Sequence, residues 1–324
     1  MKRSLSLLLV AMMVISVAST ALAVDPVNSI VLGTDADSGL ALNDSLLKPG
    51  ESYLFPVSVV LDGAEATPLT ESILEDYTFK ISNTGKGNSL SEFKLSKVGG
   101  KQYISVKVNA GWPAKTTEEE YSMKLTKKSG NKESVELTVL FETGYATISN
   151  DYIASLVKED EINVDNDAPV FTKSQLEKIS KLNEHKKVVF SGDNWTYTVN
   201  VSGMDNINML NNNKSISEIL SKYENNSFEF LTFPAGTKFA TNGTVEIDAS
   251  DFAEEFGEKF FVYRYLDGKL TLINSSYDAD DEILSFTTNT LGRFVITDKA
   301  ISDAVVVAPS TPSAPSNPNT GAAV

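Results

Sequence analysis

The 324-residue sequence contains no cysteine and a single histidine, His185. Without thiols there is no disulfide framework, no cysteine-ligated zinc, no iron–sulfur cluster and no thiol nucleophile. One histidine excludes a histidine-cluster metal centre. G-x-S-x-G and H-E-x-x-H are absent as well, which removes the signatures of the familiar serine and zinc hydrolases. Basic side chains are scarce, 28 against 43 acidic ones, for a formal charge of −15. Such a field repels phosphate backbones and anionic lipid, so neither nucleic acid nor an acidic membrane surface is an expected partner. Apart from the first residues, no run is long and apolar enough to span a bilayer, so no transmembrane helix is expected in the mature chain.

Those first residues define the expected compartment. Lys2 and Arg3 precede an apolar stretch from Leu5 to Val17, and Ala21-Leu22-Ala23 closes it. A basic start, a short apolar middle and a small-x-small end predict a secretory signal peptide over 1–23. Loss of Lys2 and Arg3 with this leader makes the exported chain more acidic still. An extracellular protein without cysteine must draw its stability from packing or from bound ions.

From 24 to 146 apolar residues recur with period two. Tyr77, Phe79 and Ile81 form one run, Ile104, Val106 and Val108 another, and Val135, Leu137, Val139 and Phe141 a third. This spacing places every apolar side chain on one face of a strand. Turn signals such as Asn83-Thr84-Gly85 and Gly99-Gly100 separate the runs, and the pattern predicts an immunoglobulin-like β-sandwich. The interval 147–168 reads as an acidic bridge, with Lys158-Glu159-Asp160-Glu161 and Asp165-Asn166-Asp167.

A second module is expected over 169–301, an antiparallel β domain with two short helices. Thr172 and Gln175 form a capping box ahead of Leu176, Ile179 and Leu182. Ser215 and Glu218 form a second, ahead of Ile216, Ile219, Leu220 and Tyr223. Asp267-Gly268 predicts a two-residue hairpin. From 302 to 324, Pro309, Pro312, Pro315 and Pro318 are spaced by small polar residues, the composition of an extended stalk that buries no core.

Several of these segments resemble known families. Asn194-Trp195-Thr196-Tyr197, Phe233-Pro234-Ala235-Gly236-Thr237, Phe261-Val262-Tyr263-Arg264-Tyr265 and Leu291-Gly292-Arg293-Phe294-Val295 together resemble a β module near the C-termini of secreted surface proteins of gut clostridia, which are Gram-positive. The likeness implies a location and an architecture. Asn317-Pro318-Asn319-Thr320-Gly321 after the stalk resembles a sortase motif of the N-P-x-T-G type. That resemblance implies cleavage between Thr320 and Gly321 and covalent coupling to peptidoglycan, with sortase as a partner. Such signals continue into an apolar helix and a basic tail, whereas here Ala322-Ala323-Val324 follows, so cell-wall attachment and simple secretion both stand as expectations.

Three kinds of site chemistry remain. Calcium takes six to eight hard oxygen ligands and needs neither cysteine nor histidine. Asp165-Asn166-Asp167-Ala168-Pro169 resembles the inter-domain motif of cadherins, which implies a calcium site at the module junction formed by Asp160, Glu161, Asp165 and Asp167. Asp35-Ala36-Asp37 and the run Asp278 to Glu282 are acidic turns that lack the EF-hand spacing. Trp112, in Asn109-Ala110-Gly111-Trp112-Pro113, falls in a loop between strands, where its ring either packs over a sandwich edge or stacks on a sugar. Trp195 falls on a period-two strand and reads as core, and His185 as a solvated helix-end residue. The chain therefore reads as a non-catalytic surface or secreted protein that serves structure, adhesion or capture of a glycan or protein. A carboxylate-dependent polysaccharide hydrolase and a pilus-type subunit are the alternatives, since an acid pair needs only two carboxylates at the right separation.

Overall fold

Alternating apolar residues build two facing sheets in the first half of the chain. The computed structural model describes residues 26–62, 64–257 and 259–306. The expected leader over 1–23 and the sortase-like motif Asn317 to Gly321 lie outside the described residues.

The first module runs through β1 (Val27–Leu32), β2 (Leu46–Leu47), β3 (Ser52–Leu61), β4 (Ala66–Pro68), α1 (Glu71–Asp76), β5 (Tyr77–Asn83), β6 (Leu90–Val98), β7 (Lys101–Val108), β8 (Thr117–Lys127) and β9 (Ser134–Thr143). One sheet has the order β1-β3-β7-β6, with β4 on β3, and the other the order β2-β9-β8-β5. Lettered along the chain, this is the ABED sheet facing the CFG sheet of an immunoglobulin sandwich, with β2 added in parallel to β9. Phe55 and Val57 from one sheet and Met123, Leu125 and Phe141 from the other share a single fully buried core.

Buried polar groups set two of the loops. Glu119 on β8 is fully buried, and its Oε1 accepts from the Ser89 amide at 2.7 Å and from Ser89 Oγ at 2.6 Å. A Cβ on Gly87 would stand 2.2 Å from the Glu119 carboxyl carbon, and Gly87 has φ +73, so both space and backbone require glycine there. Asp35, read from sequence as a solvated acidic turn, is instead 4% exposed. It accepts from the Leu54 amide at 2.7 Å, from the Ser38 amide at 2.8 Å and hydroxyl at 2.7 Å, and from the Asp37 amide at 3.2 Å.

The second module begins earlier than the sequence pattern suggests. It comprises α2 (Asn150–Ser155), β10 (Glu161–Asn163), β11 (Val170–Phe171), α3 (Lys173–Leu182), β12 (Val188–Ser191), β13 (Trp195–Val199), β14 (Ile207–Asn208), α4 (Ser217–Lys222), β15 (Phe228–Thr232), β16 (Lys238–Asp248), α5 (Ala253–Phe256), β17 (Phe261–Leu266), β18 (Lys269–Ile273), β19 (Ser275–Asp278), β20 (Ile283–Thr290), β21 (Arg293–Thr297) and β22 (Val305–Val306). The segment 147–168 is thus not a bridge between modules. β10 pairs in parallel with β12, and Ile148, Ile153 and Ile162 enter the second core. The acidic residues interleaved with them, Glu159, Asp160 and Glu161, stay in solvent. Three buried isoleucines outweigh a polar composition that suggested a linker.

A sheet of order β10-β12-β13-β16-β20-β19 faces one of order β15-β21-β17-β18-β22. Between them lie Tyr197, Val245 and Phe286 from the first and Leu231, Val262 and Phe294 from the second. The second sheet is buried on its far face too, where Phe230, Tyr263 and Val295 pack beneath Ile219 of α4 and Ile301. Burial on both faces explains the continuous run Phe294-Val295-Ile296, in which alternation disappears.

The turn chemistry follows the sequence closely. Asp267 and Gly268 have φ 49 and 74 and join β17 to β18 in the expected two-residue hairpin. Thr172 and Gln175 form the expected capping box on α3. The second box does not form. The cap position of α4 is Ile216, with no side-chain bond, and Glu218 turns away to accept from the Tyr265 hydroxyl. Leu220, placed on the buried face by spacing, is 40% exposed. Two further short helices, α1 and α5, were not legible as such, because both are too short for a helical period to show.

Burial alone would raise the Asp35 pKa, but its four hydrogen bonds outweigh that effect and hold the carboxyl below its ordinary value of 3.8. A group depressed on folding adds stability above its unfolded pKa and loses it as pH falls through the folded one. Asp35→Asn is therefore expected to lower stability to urea by a constant amount between neutral pH and pH 5. Parallel urea titrations of the two proteins should show that gap closing as pH drops below 3.8.

Candidate functional site at the module junction

The loop from Asn109 to Thr116 joins β7 to β8 at the end of the first module that meets the second. It carries the only exposed aromatic side chain among the described residues, Trp112, which is 45% exposed. Gly111 with φ +154 and Pro113 flank it, and Tyr145 donates its hydroxyl to the Gly111 carbonyl at 3.3 Å. The same loop is gripped from the second module. Asn208 Nδ2 donates to the Pro113 carbonyl at 3.1 Å and Asn206 Nδ2 to the Ala114 carbonyl at 3.0 Å.

Both asparagines are themselves fixed. Asn208 is 2% exposed, its Oδ1 accepts from the Leu210 amide at 2.9 Å, and its carbonyl accepts from Thr237 Oγ1 at 2.8 Å. Asn206 Oδ1 accepts from the Lys173 amide at 2.9 Å, at the start of α3. An ion pair between Lys48 and Asp167 at 3.6 Å also crosses the junction. That pair is exposed and adds little. The positioning rests on the two amide-to-carbonyl bonds.

Trp112 stands on the ridge between two grooves. One, of about 620 Å³, lies between the modules and is walled by Asp205, Asn206, Thr237 and Lys238. The other, of about 450 Å³, lies within the first module and is walled by Pro49, Asn109, Thr117 and Thr143. Both fall within the ~300–1,000 Å³ of small-ligand sites. Behind the second groove sits the buried Glu119 carboxylate, held through Ser89, whose hydroxyl also meets Thr143 Oγ1 at 2.5 Å.

The four carboxylates expected at a calcium site are not gathered. Asp160 Oδ2 accepts from the Val157 amide, Asp165 Oδ1 accepts from the Asp167 amide, and Asp167 reaches Lys48, while Glu161 points to solvent from β10. Among the described residues no three acidic or histidine side chains converge. With 147–168 folded into the second module, Asp160 and Asp165 close local turns, Asp167 faces Lys48 and Glu161 faces solvent.

His185 is exposed beyond α3, with φ 61. Its Nδ1 lies 3.1 Å from Ser180 Oγ, which contacts Ser202 Oγ at 2.8 Å. A histidine beside a serine was not legible locally, because α3 must end before the chain turns back on Ser180. Ser180 is 2% exposed, so its hydroxyl is closed to a substrate. Trp195 is buried and donates Nε1 to Asn211 Oδ1 at 3.2 Å, as a core residue would. Among the described residues no helix is long and apolar enough to cross a membrane.

Removing the Asn208 amide strands the Pro113 carbonyl and the Leu210 amide, a cost of about 1–3 kcal/mol. Asn208→Ala is therefore expected to free the Trp112 loop, so that trypsin cuts after the exposed Lys115 several-fold faster than in the wild type. Timed proteolysis with mass detection of the two fragments checks this.

No protein-family model and no curated protein matches the chain. Among solved structures it is similar to the titin M3 domain, at 15% identity and TM-score 0.20 over 36% of this chain and 94% of that one. It is similar to the ZirS C-terminal domain at 13% identity and TM-score 0.22, covering 40% and 82%. It is also similar to the C-terminal domain of the Streptococcus pyogenes antigen I/II-family protein AspA, at 9% identity and TM-score 0.25 over 85% and 90%. Similarity at this level says nothing of activity, ligand or partner.

Proposed function

We propose that the protein is a non-catalytic extracellular binding protein, displayed at a Gram-positive cell surface, which captures its ligand at the module junction around Trp112. The observation that carries this reading is one exposed indole held between two grooves by a hydrogen-bonded loop. An exposed tryptophan costs the free protein apolar hydration, and pinning its loop removes the ordering cost that a ligand would otherwise meet. The leader-like N-terminus, the proline stalk and the Asn317 to Gly321 motif support export and display. They would place the junction outward, free of the wall.

Two measurements test the reading. Purified protein passed over immobilised mucin, fibrous matrix protein and isolated Gram-positive cell wall is expected to be retained on at least one, and Trp112→Ala to reduce that retention by about tenfold, the loss of one buried aromatic contact. Retention on none of the three, or retention indifferent to Trp112, would overturn it. In parallel, the C-terminal peptide released from source cells by wall digestion is expected to end at Thr320 and carry a wall fragment.

A further inference from the structure

We infer that the junction takes a neutral oligosaccharide, with one pyranose ring stacked on Trp112 and neighbouring sugar units extending into the groove on either side. This inference rests on the reading of the junction as the ligand site and adds the class of ligand.

The shape comes first. Trp112 borders both grooves, so a ligand that covers the indole and fills them must be extended and must present a flat, partly apolar face at its middle. A pyranose has such a face, made of C–H groups, with hydroxyls around its rim. Trp112 lines both grooves, of about 620 and 450 Å³, and their combined space favours a chain of similar units over a single sugar. Trp112 Nε1 makes no hydrogen bond within the described residues and remains as a donor for a ring or hydroxyl oxygen.

Charge then narrows the class. The inter-module groove carries one acid, Asp205, and one base, Lys238, both exposed, and its other polar groups are amides and hydroxyls. The groove within the first module has no charged side chain on its walls, and its polar side chains are those of Ser89, Asn109, Thr117 and Thr143. Against a whole-chain charge of −15, an anionic polymer such as a uronic-acid or phosphate-bearing glycan is repelled at long range. Neutral hydroxyls meet no such penalty. An apolar peptide is a poorer match, because the polar groups on these walls would be desolvated without partners.

The exposed polar groups differ from those that hold the junction. Asn206, Asn208, Ser89 and Thr143 are committed to the junction or to Glu119. Asn109, Asp205 and Lys238 are exposed at the groove walls: Asn109, whose Nδ2 also donates to the Asn88 carbonyl at 3.4 Å, in the groove within the first module, and Asp205, paired with Lys173 at 3.5 Å, together with Lys238 in the inter-module groove. They are the groups placed to read sugar hydroxyls.

The test uses the full chain and a panel of neutral hexasaccharides of β1,4-glucan, chitin and mannan type, with a polyuronate of matched length. Trp195 is buried, so a ligand-dependent change of indole emission reports on Trp112. At least one neutral hexasaccharide is expected to shift that emission and to bind in calorimetry. Trp112→Ala should weaken binding about tenfold or more, Trp112→Phe should restore part of it because a ring remains, and Asn109→Ala and Lys238→Ala should each weaken hexasaccharide more than disaccharide. The polyuronate should not bind. A response to none of the neutral probes, a response undiminished in Trp112→Ala, or preference for the polyuronate would each overturn the inference. If the protein is held on the matrix protein through Trp112 while every oligosaccharide is silent, the glycan inference fails and the junction remains a binding site.

Discussion

Two asparagine amides, Asn206 just ahead of β14 and Asn208 on it, decide where Trp112 stands. Their bonds to the Pro113 and Ala114 carbonyls cross from one module to the other, at 3.1 and 3.0 Å, and the loop they grip has no regular secondary structure of its own. Each amide is satisfied at its other end by backbone of the second module, so neither has an alternative partner to swing to. A loop held in this way presents an indole in one place at no further cost to a ligand. The grooves on either side exist only because that ridge is fixed between them.

The rest of the architecture makes such a junction affordable to a chain without cysteine. The first module closes an immunoglobulin sandwich with Phe55, Val57, Met123 and Leu125, and sets its loops with carboxylates turned inward, Asp35 and Glu119. The second buries one sheet on both faces, which adds a second apolar face removed from water. The acidic residues that give the chain its charge lie mostly outside these cores.

Much of this was legible in the sequence, and the misses have identifiable causes. Period-two runs marked the strands around Phe79, Val106, Met123 and Val139 because each has one buried face. Asp267-Gly268 and the Thr172 box were readable because their geometry is local. The segment 147–168 misled because three isoleucines are outnumbered there by charged residues, and composition cannot tell which side chains turn inward. Ser215 misled because Glu218 found a better partner in Tyr265, which is 47 residues away. The calcium reading at Asp160, Glu161, Asp165 and Asp167 assumed a free linker, and the structure gives those residues to a folded module.

Sequence by itself determined the mainly β class, the hairpins and the acidic, thiol-free chemistry, because period, turn residues and composition act over a few neighbours. It also singled out Trp112 as a loop tryptophan with two possible fates. Only the tertiary structure shows that the indole is exposed. Exposure of the indole depends on Asn206 and Asn208, which are distant in sequence and adjacent in space, and no local pattern records which carbonyls a side-chain amide will meet.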